Sequence, residues 1–205
     1  MQVCLLRHGR SLADDERKIE GRYDSPLTEI GRRQAEALAD RWATEGRQFN
    51  LIVASTLRRA HETACIVGKR LEVVVETDPV WMELDNGPLA GMPRELAVRK
   101  YPLADFINPF DPLAGVCESP WELHSRAMMA IAGIVGRGEG SYLVVSHGGI
   151  LNAVARVICG TQPPVNRSEL RFRFRDTGHL DLHYNHGSHA WFVERFEPGV
   201  TVIEG

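Results

Sequence analysis

The sequence predicts an α/β fold with a sheet of parallel strands, and two observations support this prediction. Short apolar runs that contain β-branched residues occur at residues 3–6, 51–54, 73–75 and 143–145. Segments with helical periodicity separate most of these runs, and this alternation is typical of βαβ units with parallel strands. With 205 residues and 43% apolar content, the chain is long enough for one domain over residues 1–205 but short for two.

Two long helices are predicted in the first third of the chain. The first starts near Thr28, whose hydroxyl suits an N-cap, and runs until Gly46. Its apolar residues that face inward are Ile30, Leu38 and Trp42. The second helix starts after Ser55 and ends around Arg70.

The middle of the chain is predicted to form an irregular flap on the substrate side, followed by a capped helix. Pro93 suits the first turn of a short helix that reaches about Tyr101. The prolines that favour an irregular excursion after it are Pro102, Pro109 and Pro112. Residues 119–122, with the sequence SPWE, form a capping box with proline at the first helical position, and this helix should end near Gly136.

The last third is predicted to hold a buried helix and antiparallel strands. Residues 149–159 are mostly apolar, and Gly160 suits the end of a helix there. Apolar residues then alternate along the chain, which favours antiparallel strands with a turn at His186 and Gly187. The alternating residues are Leu170, Phe172, Phe174, Leu180, Leu182 and Tyr184.

Charge and composition argue against several classes of partner. The net charge of -3 and the pI near 6.2 disfavour nucleic acid or an anionic membrane as the main partner. No secretory signal and no apolar stretch of the ~20 residues needed by a membrane helix is found, so a cytoplasmic location is expected. The four cysteines lack the paired spacing of zinc sites, and no metal site is predicted.

The residues that follow the predicted strands have the chemistry of phosphoryl transfer. In open α/β sheets, ligands bind outside the carboxyl ends of the strands. The residues at those ends are His8, residues 55–59, Glu83 and His147. Two imidazoles, arginines and a carboxylate are the groups needed to take a phosphoryl group onto nitrogen and release it to water.

Each of these residues has an expected task. His8 would attack phosphorus with one ring nitrogen while a backbone carbonyl holds the other. Arg7 and Arg59 would neutralise the phosphate, and a protonated His147 would add a further donor. Glu83 would protonate the leaving alkoxide and then activate water. The glycines expected to let the backbone N–H groups approach the phosphate are Gly9, Gly148 and Gly149.

Five motifs occur in order along the chain: LRHG at residues 6–9, GRYDSPLT at 21–28, STLRRAHETA at 55–64, ELDNG at 83–87 and SHGG at 146–149. They resemble the motifs of the histidine phosphatase superfamily, in its phosphoglycerate mutase-like branch. The resemblance implies a three-layer α/β/α fold with a mostly parallel central sheet. It also implies a phosphohistidine on His8, a phosphate pocket of Arg7, Arg59 and His147, and Glu83 as proton donor. The expected substrate contacts include Ser11, Gly21, Arg22 and Gly148.

Several positions depart from the family pattern. Asp14 stands where the family often has an asparagine, and a carboxylate there would repel a phosphate dianion unless it is protonated or turned toward Arg10 or Arg17. Three other departures, expected to tune the choice of substrate, are Glu20 for glutamine, Cys117 for glycine and Asn152 for arginine.

Other charged or imidazole groups have two interpretations each. Arg22 is either a substrate contact or an exposed loop arginine. The cations of the flap, Arg94, Arg99 and Lys100, either form a solvated helix face or meet a distal charge of the substrate. The tail histidines, His179, His183, His186 and His189, are expected in a surface turn, with a metal site as the alternative.

The sequence therefore predicts a phosphomonoester phosphatase of the histidine acid type that needs no metal or organic cofactor. Its predicted partner is a small phosphorylated metabolite. The alternatives are a phosphoglycerate mutase, disfavoured because that enzyme usually carries a larger insertion and a longer tail, and a non-catalytic regulator that binds phosphate or phosphoproteins. A homodimer is one of the oligomeric states that the sequence allows.

Overall fold

The computed structural model describes residues 1–166, 168 and 170–200, and a six-stranded sheet forms its centre. The strands are β1 (Gln2–Arg7), β2 (Leu51–Ala54), β3 (Val75–Thr77), β4 (Ser141–Ser146), β5 (His179–Asn185) and β6 (Ala190–Glu197). Their order in the sheet is β3-β2-β4-β1-β5-β6. The first four strands run parallel, and β5 and β6 add an antiparallel edge, so the predicted mostly parallel sheet is confirmed. Residues 201–205 of the predicted domain lie outside the described residues.

Six α-helices accompany the sheet in the described part of the chain. They are α1 (Leu12–Asp15), α2 (Glu29–Thr44), α3 (Arg58–Leu71), α4 (Arg94–Lys100), α5 (Pro120–Val135) and α6 (Gly148–Ile158). The predicted N-caps are confirmed, since the hydroxyls of Thr28 and Ser119 accept N–H bonds in the first turns of α2 and α5. Helix α1 was not predicted, because its four residues carry too short a pattern to recognise. None of the described helices is both long and apolar enough to cross a membrane.

Helices cover both faces of the sheet, which confirms the three-layer architecture. On one face, α2 and α3 pack with Trp42 and Val67 against Leu6 and Ile52. On the other face, α5 and α6 pack against a second core. Residues of that core include Leu5, Ile131, Val144 and Leu151. Successive residues of the central strands are therefore buried on opposite faces, which explains why these strands are continuous apolar runs.

Two local predictions are wrong. Ile30 is exposed (36%) rather than inward, because it lies in the first turn of α2 beside a surface cavity. The segment of alternating apolar residues around Phe172 is not a strand. The side-chain amide of Asn152 accepts from the backbone N–H of Phe172 and donates to its C=O, so neither group pairs with a strand. The two edges of β5 are already paired with β1 and β6, and the turn near His186 joins β5 to β6.

The register of the parallel strands brings the predicted site together. Arg7 of β1 lies opposite Ser146 of β4, so His8 and His147 follow at neighbouring positions beyond the carboxyl edge. Ala54 of β2 pairs with Val145, which places Ser55 beside them. The sheet thus carries the two imidazoles side by side, as expected for a site at the carboxyl ends of the strands.

Candidate active site

His8 is buried and held in one tautomer. Its Nδ1 lies 2.6 Å from the carbonyl oxygen of Gly9, and because a carbonyl can only accept, Nδ1 carries the proton. The Nε2 lone pair accepts a hydrogen bond from Nε of Arg59 at 3.1 Å. Burial, together with the charges of Arg59 and Arg7, lowers the pKa of His8 well below its ordinary value. At neutral pH the ring is therefore uncharged, with Nε2 available as a nucleophile.

Arg59 is fully buried and is fixed by the loop that precedes α2. Its Nη1 donates to the carbonyl of Tyr23 at 2.9 Å, and its Nη2 donates to the carbonyl of Gly21 at 2.8 Å. Gly21 adopts a φ of 49°, a left-handed conformation that favours glycine. The second N–H of each Nη has no partner among the described residues, which leaves two donors for an oxyanion beside His8.

Arg7 approaches the same pocket from the end of β1. Its Nη1 donates to the carbonyl of Phe174 at 3.0 Å, and its Nη2 lies 3.8 Å from a carboxylate oxygen of Asp176. Gln34 donates to the other oxygen of Asp176 at 3.2 Å. The segment from Phe174 to Asp176, which the sequence did not assign to the site, therefore orients one of its two arginines.

His147 is also buried, and its ring centroid lies 5.0 Å from that of His8. The hydroxyl of Ser55 accepts from the N–H of Leu57 and lies 2.8 Å from Nε2 of His147, to which it can donate its own proton. The proton of the neutral ring then sits on Nδ1, which is buried without a partner among the described residues. Burial, followed by the nearby cations, lowers the pKa of His147 well below its ordinary value. A neutral His147 can therefore donate one hydrogen bond, and protonation is not required.

Glu83 caps the N-terminus of α6, directly after His147. Its Oε1 accepts from the N–H of Leu84 at 2.8 Å and of Ile150 at 3.0 Å, while Oε2 accepts from the N–H of Gly149 at 2.8 Å. A Cβ at Gly149 would lie 2.4 Å from Oε1, so this glycine is needed for the close approach. The helix dipole and these donors hold the carboxyl group in place.

The expected glycine N–H groups are partly engaged within the protein. The N–H of Gly9 donates to Oγ1 of Thr63 at 3.2 Å, and that of Gly149 donates to Glu83. Gly148 opens α6 between His147 and Gly149, and a Cβ there would come within 4.0 Å of Arg7 Cδ. Gly148 therefore lies beside the side chain of Arg7.

Arg126 of α5 is a residue that the sequence reasoning missed. Its guanidinium donates to the carbonyls of Val80, Met82 and Glu83 and forms a two-point pair with Glu118. It thereby fixes the backbone that carries Glu83. The arginine lies outside all five motifs, and its polar position on an otherwise apolar helix face was the available signal.

Two carboxylates lie at the pocket around Ser11. Asp14 accepts from the backbone N–H of Ser11 at 3.0 Å in a capping box, and its charge also acts on Arg10. Arg10 donates to Asp15 at 2.6 Å. Glu20 accepts a short hydrogen bond from the hydroxyl of Ser11 and lies 3.4 Å from Nε of Arg59.

The remaining cations are placed further out. Arg22 pairs with Asp85 at 3.0 Å and is about one-third exposed, at 32%. Arg94 lines a surface cavity of about 490 Å³ together with Asp14 and Arg17. Arg99 and Lys100 lie on the exposed face of α4.

The tail histidines do not converge. His179 is buried against Trp42, with ring centroids 5.1 Å apart, so the prediction of a surface position is wrong for it. His183 bonds to Gln2, and His189 bonds to Tyr184. Within the described ranges, no group of three or more His, Cys, Asp or Glu side chains is placed to hold a metal ion.

Comparisons with known proteins cover nearly the whole chain. The profile described as the histidine phosphatase superfamily (branch 1) matches residues 3–195. The probable phosphoglycerate mutase GpmB of Yersinia pestis (strain Pestoides F) is 32% identical over 204 residues, covering 95% of this chain and 91% of that protein.

Two solved structures illustrate the structural similarity. YhfR of Bacillus stearothermophilus superposes with a TM-score of 0.82 at 27% identity, covering 98% of both chains. A mycobacterial glucosyl-3-phosphoglycerate phosphatase superposes with a TM-score of 0.78 at 25% identity, covering 95% of this chain and 97% of that one.

Proposed function

The chain belongs to the histidine phosphatase superfamily, and from this premise we propose that it is a phosphomonoester phosphatase acting through a phosphohistidine on His8. The observation that carries the proposal is the state of the His8 ring. Nδ1 donates to the carbonyl of Gly9, so the lone pair of the neutral ring is on Nε2, where it accepts a hydrogen bond from the buried guanidinium of Arg59. A neutral nucleophile beside fixed cations is what attack on an anionic phosphoryl group requires.

The first chemical step forms a bond between Nε2 of His8 and phosphorus as the ester P–O bond breaks. Arg7, Arg59 and the Nδ1–H of His147 stabilise the charge on the phosphoryl oxygens, which spreads in a loose transition state. The leaving alkoxide takes a proton from Glu83. Oε2 accepts one N–H and Oε1 accepts two, so Oε2 is the oxygen proposed to carry that proton.

The second step releases the phosphoryl group to water. Glu83, now ionised, takes a proton from water as the water oxygen attacks phosphorus and the P–N bond breaks. Inorganic phosphate leaves, and both residues return to their starting state. The proposed cycle uses side chains of this chain alone and no metal ion or organic cofactor.

Phosphoglycerate mutase is the second candidate, because curated relatives at 31–32% identity bear that name as probable. This chain covers 91% of their length, so chain length does not separate the two activities. The carboxylate of a phosphoglycerate would need a cation whose charge is not already compensated. Arg22 is paired with Asp85, and for this reason we favour the phosphatase.

Hydrolysis of p-nitrophenyl phosphate in the presence of a chelator tests the proposal. Wild type is expected to release nitrophenol, and His8→Ala is expected to release none above background. Absence of turnover by wild type, or equal turnover by His8→Ala, would contradict it. With 3-phosphoglycerate, a phosphatase releases inorganic phosphate, whereas a mutase forms an isomer without releasing it.

A further inference from the structure

Two carboxylates lie in a pocket that must hold a phosphoryl group. Glu20 is 3.4 Å from Nε of Arg59, the same atom that donates to the nucleophilic Nε2 of His8. Asp14 lies beside it, since the hydroxyl of Ser11 contacts both carboxylates. Glu20 is mostly buried, with 18% of its side chain exposed, so water screens its charge little.

These carboxylates change the charge balance of the pocket. Arg7 and Arg59 supply two positive charges, and each lies near a carboxylate: Glu20 is 3.4 Å from Nε of Arg59, and Asp176 is 3.8 Å from Nη2 of Arg7. The two imidazoles are neutral at pH 7 for the reasons given above. A phosphate dianion would therefore meet two arginines whose charges neighbouring carboxylates already offset in part.

Glu20 also conflicts with a dianion at the level of hydrogen bonding. An ionised carboxylate only accepts, and every oxygen of a phosphoryl dianion also only accepts. The charged and titratable groups near Glu20 include Asp14 on α1, Arg59 on α3 and, across Arg59, His8, which follows β1. Glu20 therefore offers no hydrogen to a phosphoryl dianion, and its charge lies beside the guanidinium that would bind the dianion.

We propose that Glu20 makes this pocket select the singly protonated phosphoryl group, whose P–OH donates to the Glu20 carboxylate. The bound complex then holds one proton more than the free enzyme and a free dianion. This inference rests on the proposed function, since it concerns the same pocket. It identifies the substrate as a phosphomonoester in its monoanionic form, which predominates below a second pKa of about 6.

Replacement by glutamine reverses the hydrogen-bonding character at this position. The side-chain amide of Glu20→Gln donates N–H to an oxygen of the dianion and removes one negative charge. The variant should accept the dianion directly. Its affinity for phosphate should depend on pH far less than that of wild type.

Calorimetric titration of inorganic phosphate between pH 6 and 9 tests the inference. For wild type, the dissociation constant is expected to rise about tenfold per pH unit at the alkaline end, as one bound proton requires. Glu20→Gln is expected to remove this slope and to bind about tenfold more tightly at pH 8. Glu36→Gln, which neutralises an exposed carboxylate on α2, is the control and should behave like wild type.

A measurement on wild type alone guards against misfolding of the variant. At pH 8, titration in two buffers with different ionisation enthalpies should show uptake of about one proton per phosphate bound. No proton uptake, or a wild-type slope retained by a folded Glu20→Gln, would overturn the inference.

The outcomes separate this inference from the proposed function. Hydrolysis through His8, combined with an unchanged slope in Glu20→Gln, would leave the phosphatase standing and refute the role of Glu20. Phosphate binding whose pH dependence requires Glu20, without hydrolysis of any ester, would support the role of Glu20 and refute the phosphatase.

Discussion

At the scale of single residues, the site depends on imidazoles that are kept neutral and held in defined tautomers. The carbonyl of Gly9 fixes the proton of His8 on Nδ1, and donation from Ser55 to Nε2 of His147 places the proton of that ring on Nδ1 in the proposed mechanism. Burial and the neighbouring arginines disfavour the charged form of both rings. In the proposed mechanism, one ring is the nucleophile and the other a hydrogen-bond donor, without any change of protonation.

Glu83→Gln tests the role of Glu83 as proton donor. The amide cannot protonate a leaving alkoxide, so kcat/KM for alkyl phosphates should fall by about 10²–10⁴-fold. Nitrophenyl phosphate, whose leaving group needs little protonation, should lose much less. Steady-state kinetics on both esters measure the difference, and an equal loss on both would show that the proton comes from another group.

The sequence identified the residues with reactive side chains, because imidazole, guanidinium and carboxylate groups occur in recognisable motifs. It did not identify the backbone partners of these groups. The carbonyls of Gly21 and Tyr23 bind Arg59, and the carbonyl of Phe174 binds Arg7. Such contacts depend on how distant segments pack, and a carbonyl is present at every position of the chain.

At the scale of elements, the sequence predicted those features whose interacting groups lie within a few residues of each other, such as helix caps. The caps at Thr28 and Ser119 were predicted because the capping side chain and the N–H groups it binds lie in one turn. The segment around Phe172 was mispredicted because its backbone bonds to Asn152, twenty residues away in sequence. An alternating pattern of apolar residues does not show whether a distant side chain will bind the backbone groups that a strand would need.

Gly149→Ala tests the fit between α6 and Glu83. The added Cβ would lie 2.4 Å from Oε1, so the carboxyl group must move, and kcat/KM should fall on the order of 10²-fold. Gly133→Ala on α5 is the control, because no atom lies within 4 Å of its added Cβ. It should stabilise the protein by about 1 kcal/mol and leave kcat/KM unchanged. Unchanged kcat/KM in Gly149→Ala would contradict the assigned position of Glu83.

At the scale of the whole molecule, the parallel sheet explains how residues far apart in sequence form one site. The register of β1, β4 and β2 brings His8, His147 and Ser55 to one edge, although 139 residues separate the two histidines. Helices on both faces bury these strands. The position of these residues at the ends of the predicted strands predicted this convergence, whereas the antiparallel pairing of β5 with β1 required the structure.

The buried histidines also predict how stability changes with pH. Burial lowers the pKa of His8, His124, His147 and His179, the last to about 4. In the unfolded chain these histidines bind protons near pH 6.5, whereas in the folded chain they bind protons only at lower pH. Their contribution to stability is therefore complete above pH 6.5 and is lost as the pH falls through the lowered pKa of each folded-state ring, which for His179 is about 4.

Urea unfolding at pH 7.5 and pH 5.0 measures this effect. The midpoint should be lower at pH 5.0, and His179→Gln should lose less stability on acidification than wild type does. His61→Gln changes a histidine on the exposed face of α3 and serves as the control. A midpoint that is equal or higher at pH 5.0 would contradict the prediction.

Identification of the phosphorylated residue during turnover tests the central proposal most directly. Wild type is mixed with a labelled phosphomonoester, quenched in base and digested, and the label is located by peptide mass spectrometry. The proposal predicts an acid-labile, base-stable phosphoryl group on His8 that is absent from His8→Ala. Turnover without this label, or a label on another residue that persists in His8→Ala, would contradict it.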